Sequence, residues 1–325
     1  MRWPGRFPGR RFTIDLLEVF LKKSRAYIGF IGPGLVLYTV FMIAPILFAI
    51  YMSFFNWAGV GPMLPVGLDN YRKLLFSARE SRIFFNALGN NFKYMATVLL
   101  LIMPIQIFFA YVLYIRIKAH QYIQFMLFLP YVISTSIIAF FATMVFDPNI
   151  GMLNTLFSQL GLDHWRSAWL GDPRLSFKIF VAVVIWAFIG NGMMIFNANM
   201  KEIVTDIIEA ARIDGAGELS MFFKVVLPQI GNSLNTVLTL SIIYALTMFD
   251  LPFLLGGVQG GVNNTLDFVQ MVFYRKAFGG TYFGETSLGY GSAISVTMLV
   301  IILACSMLLK MILHIVERRQ EGGGI

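Results

Sequence analysis

Lys201-Glu202-Ile203-Val204-Thr205-Asp206-Ile207-Ile208-Glu209-Ala210-Ala211-Arg212-Ile213-Asp214-Gly215-Ala216-Gly217-Glu218-Leu219-Ser220-Met221-Phe222-Phe223-Lys224-Val225-Val226-Leu227-Pro228 lies between two long apolar runs, 177–199 and 234–255. The stretch is too polar to cross lipid and too apolar to be an idle linker. Ile203, Ile207, Ala210 and Ala211 recur at helical spacing and predict one short helix. Gly215 and Gly217 permit the turn that stops it. Leu219, Phe222, Phe223 and Val226 predict a second helix with a bulky face, and Pro228 marks its end. Phe222 and Phe223 exposed to water would invite aggregation unless a partner covered them, so loop 200–229 reads as a docking element.

Outward from that loop the chain is 58% hydrophobic and 13% charged over 325 residues, which excludes an ordinary soluble domain. Apolar runs near the roughly 20 residues a helix needs to cross hydrocarbon occur at 27–55, 92–115, 123–146, 177–199, 234–255 and 290–313. Strands of a β-barrel would be half that length and would alternate with polar residues. The fold class expected is an all-α membrane protein with six transmembrane helices.

Lys and Arg set the orientation. With the N-terminus inside, the inner segments hold seven before Ala26, then Arg116, Lys118, Lys201, Arg212, Lys224, Lys310, Arg318 and Arg319, fifteen of 25 in all. The bias favours N-in and C-in. Against it, Arg72, Lys73, Arg79 and Arg82 crowd the first outer loop. The net charge of +8 is thus a topology signal, and no basic soluble domain is present to bind nucleic acid. Arg10-Arg11 resembles a twin-arginine leader only faintly, because 27–55 is long enough to span and no small-residue cleavage site follows it. Segment 1–25 reads equally as an amphipathic helix carrying Phe12, Leu16, Val19 and Phe20 on the inner leaflet, or as a basic tail. The division expected is 1–25 cytoplasmic, 26–315 a six-helix membrane domain containing loop 200–229, and 316–325 a cytoplasmic tail. The outer loops 56–91, 147–176 and 256–289 are each about thirty residues, which points to work on the outer face.

Glu209-Ala210-Ala211, Gly215, Val225 and Leu227-Pro228 resemble, gap for gap, the signature of the permease subunits of binding-protein-dependent ABC importers, with Val225 in place of isoleucine. Gly67-Leu68-Asp69-Asn70-Tyr71, Leu129-Pro130, Pro148 with Gly151 and Asn154, Ile213-Asp214-Gly215-Ala216 and Phe249-Asp250 resemble the sugar-permease, maltose-permease-like branch. Thr205 and the run Gly256-Gly257-Val258-Gln259-Gly260-Gly261 depart from it. The resemblance implies a type I ABC importer permease fold with a cytoplasmic coupling helix, in the cytoplasmic (inner) membrane. Glu209, Ala210, Ala211, Asp214, Gly215, Gly217, Phe222, Phe223, Leu227 and Pro228 would couple it to an ATPase. It implies two cytoplasmic ATPase subunits, a second homologous permease subunit and an extracellular solute-binding protein as partners, with lipid around and no nucleic acid. The chain has no phosphate-binding Gly-x-x-x-x-Gly-Lys-Ser/Thr loop, so it is expected to be non-catalytic and to bind no cofactor, with ATP and Mg on the ATPase subunits.

A central Asp costs a span about 2.5 to 3.5 kcal/mol, so such groups face a cavity or a partner. Asp250, then Asn191, Asn197 and Asn199, are candidates for a solute path, with Trp186, Tyr244 and Phe253 as faces for a sugar ring. Polar contacts between helices, aided by Pro252 breaking the fifth, explain Asp250 equally and each Asn rather better. His120, His164 and His314 lack metal-ligand spacing, the lone Cys305 allows no intrachain disulfide, and no nucleophile with a base suggests an enzyme. A carbohydrate permease is the reading adopted. Permeases for a polyol phosphate or a polyamine, and a secondary transporter, are the alternatives; the last would bear internal repeats and would not need the docking loop.

Overall fold

The computed structural model describes residues 30–279 and 286–322. The reading of 1–25, the start of the first run at 27–29 and the last residues of the tail lie outside them. Five helices are long and apolar enough to span: α1 (Phe30–Met52), α3 (Glu80–Tyr114), α7 (Ser176–Lys201), the segment Ser233–Gly256, and Leu288–Leu313 within α13 (Leu288–Gly322). The bent pair α4 (His120–Val132) and α5 (Thr135–Val145) makes a sixth crossing.

That third crossing corrects the single rod expected at 123–146, because its halves meet at 101°. Pro130 cannot donate its hydrogen bond in the last turn of α4, Ile133 turns extended with ψ 141°, and Ser134 caps α5 by accepting from the Ile137 N–H. The halves then pack differently, α4 on α7 and α5 on α11 (Asp250–Gly256).

Prolines shape three other helices by a common device. π-helical turns at Thr39–Ile43, Val98–Ile102 and Met221–Val226 each lie just before a proline, Pro45, Pro104 and Pro228. A widened turn spares the ring its clash with the carbonyl four residues back. Pro228 therefore sits in the last turn of the second short helix, α9 (218–229), and marks its end to within one residue. In the fifth crossing the break falls at 247–249, between α10 (Gly231–Leu246) and α11, on the carbonyl that Pro252 would strike.

The outer loops are more ordered than their composition suggests. Strands β1 (Phe55–Asn56) and β2 (Leu64–Pro65) pair antiparallel, followed by α2 (Asp69–Phe76). Helix α3 starts at Glu80 rather than at the expected residue 92, α6 (Met152–Gln159) occupies the second outer loop, and α12 (Val269–Phe278) buries Val269, Met271 and Val272 in the third.

Packing is closest where α7 crosses α3 and α4. A β-carbon on Gly190 would come 2.6 Å from the Leu127 carbonyl oxygen, and one on Gly192 would strike the Gln106 amide. Gln106 and Asn197 each donate to a main-chain carbonyl across this crossing, to Phe188 at 3.2 Å and Ala110 at 2.9 Å. Further out, Tyr94, Phe180 and Phe268 form an aromatic triad with centroids 5.2 to 5.9 Å apart. Asn91, fully buried, holds the broken fifth crossing. It donates to Ala245 O at 3.0 Å and Leu246 O at 3.3 Å, carbonyls orphaned by the end of α10, and accepts from the Val269 N–H at the start of α12 at 3.0 Å.

Candidate functional site

The cytoplasmic loop folds as two helices, α8 (Thr205–Ile213) and α9, joined at a tight stop. Gly215 takes φ +82°, and the Gly215 and Ala216 N–H groups return to Arg212 O and Ala211 O, both at 3.0 Å, closing a Schellman cap. Only Gly215 needs glycine's freedom; Gly217 lies at φ −71° and tolerates any side chain there.

One face of this hairpin is bound to its own subunit. Ile208, Met221, Val226 and Ile230 are buried in a core shared with Met103, Tyr111, Phe196 and Met200, with Ile203, Ala211, Phe222 and Leu227 packed at its edge. The buried stripe of α8 thus runs through Ile208 and Ala211, whereas Ile207 and Ala210, expected on it, are exposed. Phe222 is also not free: its ring lies 4.8 Å from that of Tyr111. Tyr111 further donates to Glu218 Oε2 at 2.8 Å, fastening α3 to the first turn of α9.

The other face is bare. Ile213, Leu219 and Phe223 are 86%, 77% and 60% exposed, with Glu209, Asp214, Gly215, Gly217 and Pro228 open beside them. An apolar surface on such a hairpin, with the carboxylates of Glu209 and Asp214 and the cations Arg212 and Lys224 exposed on the same hairpin, suits a protein partner better than water.

The solute-path candidates divide. Asp250 is exposed at the first position of α11, beside the break. Near it Phe249 stacks on Phe253 at 5.0 Å, and Tyr274 of α12 meets both rings at 5.7 and 5.4 Å. Tyr244, half-exposed, contacts Phe188 at 6.1 Å, which contacts Tyr131 at 6.4 Å. Sequence reasoning missed Tyr131 and Tyr274, since nothing in a lone tyrosine separates a lining ring from a packing one. Trp186 stands apart, about 160° around α7 from Phe188, in an apolar pocket of about 460 Å³ with Ile133, Phe141 and Phe146. Asn191 is exposed. Asn197 is 2% exposed and donates to Ala110 O, so in this conformation it joins α7 to α3. Among the described residues no three His, Cys, Asp or Glu side chains gather as a metal site.

The family described as "Binding-protein-dependent transport system inner membrane component" matches residues 103–322, from the inner half of α3 through the hairpin to the end of α13. The chain belongs to this family. Among its relatives, the "Probable ABC transporter permease protein YurN" of Bacillus subtilis is 30% identical over 86% of this chain and 92% of its own length. The "Diacetylchitobiose uptake system permease protein NgcF" of Streptomyces coelicolor is 28% identical over 98% and 88%. In solved structures, a chain of a bacterial alginate ABC transporter in complex with its alginate pentasaccharide-bound periplasmic protein superposes with a TM-score of 0.75 at 21% identity, covering 89% of this chain and 94% of that one. This likeness shows a shared fold. As an inner membrane component of a binding-protein-dependent system, the permease has a transport role.

Proposed function

We propose that this permease forms, with a second homologous permease subunit, the path by which a carbohydrate delivered by an extracellular solute-binding protein crosses the inner membrane, driven by two separate ATPase subunits seated on the 200–229 hairpin. The observation that carries the coupling half is the division of the hairpin's faces. One face is locked to α3 and α7 by Ile208, Val226 and the Tyr111–Glu218 bond, while Ile213, Leu219 and Phe223 are left bare. A hairpin so held passes on a rigid displacement instead of absorbing it. ATP and Mg belong to the partner, since the chain has no phosphate loop.

The carbohydrate half rests on the relative named for diacetylchitobiose uptake. It is also supported by the chemistry at the break in the fifth crossing, where the exposed Asp250 opens α11 next in sequence to Phe249, whose ring clusters with those of Phe253 and Tyr274. Carboxylates match paired hydroxyls and rings cover the apolar face of a sugar. The test is to purify the chain in mild detergent from its native membrane, identify the co-purified subunits, and measure ATPase activity in nanodiscs with the binding protein and a panel of sugars. Co-purification of an ATPase and sugar-dependent stimulation are expected. A chain that transports alone overturns the reading.

A further inference from the structure

The cations 72–82 of the first outer loop run against the positive-inside bias, and the fold gives them a structural sense. Lys73, Arg79 and Arg82 are brought together with Arg275 and Lys276 of α12, almost two hundred residues further on, around two adjoining polar pockets of about 450 and 220 Å³ that share Lys276. Two of these charges are neutralised within the subunit. Arg275 makes a bidentate pair with buried Asp267, at 2.9 and 2.7 Å, and also donates to Val258 O at 2.6 Å. Lys276 pairs with buried Glu80 at 2.9 Å, whose other oxygen accepts from the Tyr290 hydroxyl at 3.3 Å. Arg79 and Arg82 are exposed, and neither forms an ion pair among the described residues.

The larger pocket is also a built one. Its far wall, Gln259 to Asp267, holds Asn263 and Asn264 in the left-handed region at φ 54° and 55°, a conformation that costs non-glycine residues energy and is kept here by Asn264 donating to Gln259 O at 2.8 Å. Asn90 fixes the same wall from below, donating to Asn264 O and Asp267 O at 3.0 and 2.9 Å. Two guanidinium groups with no ion pair among the described residues, over a floor of satisfied ion pairs on the outer face, form a receptor for carboxylates.

We propose that Arg79 and Arg82, over the Asp267–Arg275 floor, dock acidic side chains on the rim of the solute-binding protein and steer its approach. This rests on the importer reading above. The test uses the assembled transporter in nanodiscs and the solute-binding protein that stimulates its ATPase, comparing wild type with Arg79→Glu/Arg82→Glu. Arg166→Glu, on another outer loop, is the matched control, and equal co-purification of ATPase subunits is the check on assembly. Should the double reversal fail to assemble, Arg79→Gln/Arg82→Gln replaces it. Binding-protein affinity is expected to fall about tenfold at low ionic strength, with the gap closing as salt is raised, while Arg166→Glu binds as wild type does. Affinity and salt dependence equal to wild type would overturn the proposal. So would a loss confined to uptake of acidic sugars with binding-protein affinity intact, since the carboxylate would then be the solute's. A wild-type complex whose ATPase no binding protein stimulates would instead sink the importer reading, and this proposal with it.

Discussion

Tyr111 and Glu218, 107 positions apart, meet at 2.8 Å where the inner end of α3 touches the first turn of α9. The tyrosine ring also rests on Phe222, so one residue contributes both a polar and an apolar hold on the hairpin. Removing only the hydroxyl should therefore loosen transmission without freeing the hairpin. For Tyr111→Phe we expect solute moved per ATP to fall about fivefold with ATPase assembly intact, and a larger fall for Tyr111→Ala. Tracer uptake and phosphate release in the same proteoliposomes decide it; an unchanged ratio in both variants counts against the hold.

Loss of the bare face should act differently. Phe223→Ser or Glu209→Lys changes groups that touch little of their own subunit, so folding is spared and docking is not. Both variants should insert and melt as wild type does, yet co-purify with at least about tenfold less ATPase subunit, as expected for interface anchors.

Asn91 meets three backbone groups at the break of the fifth crossing. Asn91→Leu should destabilise the permease by about 2–4 kcal/mol, because two carbonyls and one N–H are left buried and unpaired. Thermal unfolding in detergent reads this directly, and Asn86→Leu on the same helix, exposed on the outer face, should shift the midpoint little.

Gly190→Val should cost about 1–3 kcal/mol by forcing α7 away from the α4 backbone at Leu127 and Phe128. Gly217→Ala, with no atom near the new methyl and an ordinary φ, should be silent in the same melt.

Burial raises the Asp267 carboxyl above its ordinary value, and the Arg275 guanidinium opposes that rise. Arg275→Met removes the opposition, so the folded-state value climbs further while the unfolded value stays put. The folded variant then holds a proton that the unfolded chain has released, and its stability falls as pH rises through the interval between the two values. We expect the melting temperature of Arg275→Met to drop from about pH 4 to pH 8, over a range where the wild type changes far less. A flat profile would mean that the carboxylate finds another counterion.

Some of this was legible in the chain and some was not, for identifiable reasons. Six crossings and the 200–229 hairpin follow from length and polarity, which the lipid solvent enforces on each segment separately. Which face of the hairpin is bare does not: Ile207 and Ile208 are equally apolar, and only packing against Met200 and Tyr111 chooses Ile208. The buried polar residues were missed because composition placed Asn90 and Asn91 in a loop ending at 91, while α3 continues outward to Glu80. The bend at Ser134 had a visible cause in Pro130, but a proline in an apolar run is compatible with a gentle kink as well as with a right angle.

That right angle divides the third crossing between two neighbourhoods. The inner leg is clasped by α7, whose end leads into the hairpin, and the outer leg leans mainly on α11, with a lighter contact on the outer part of α7. Ile133 and Ser134 thus form an elbow between a leg packed along α7 and a leg packed mainly on α11. The crossing that looks most damaged by its proline is the one that ties the helix leading into the hairpin to the break in the fifth crossing.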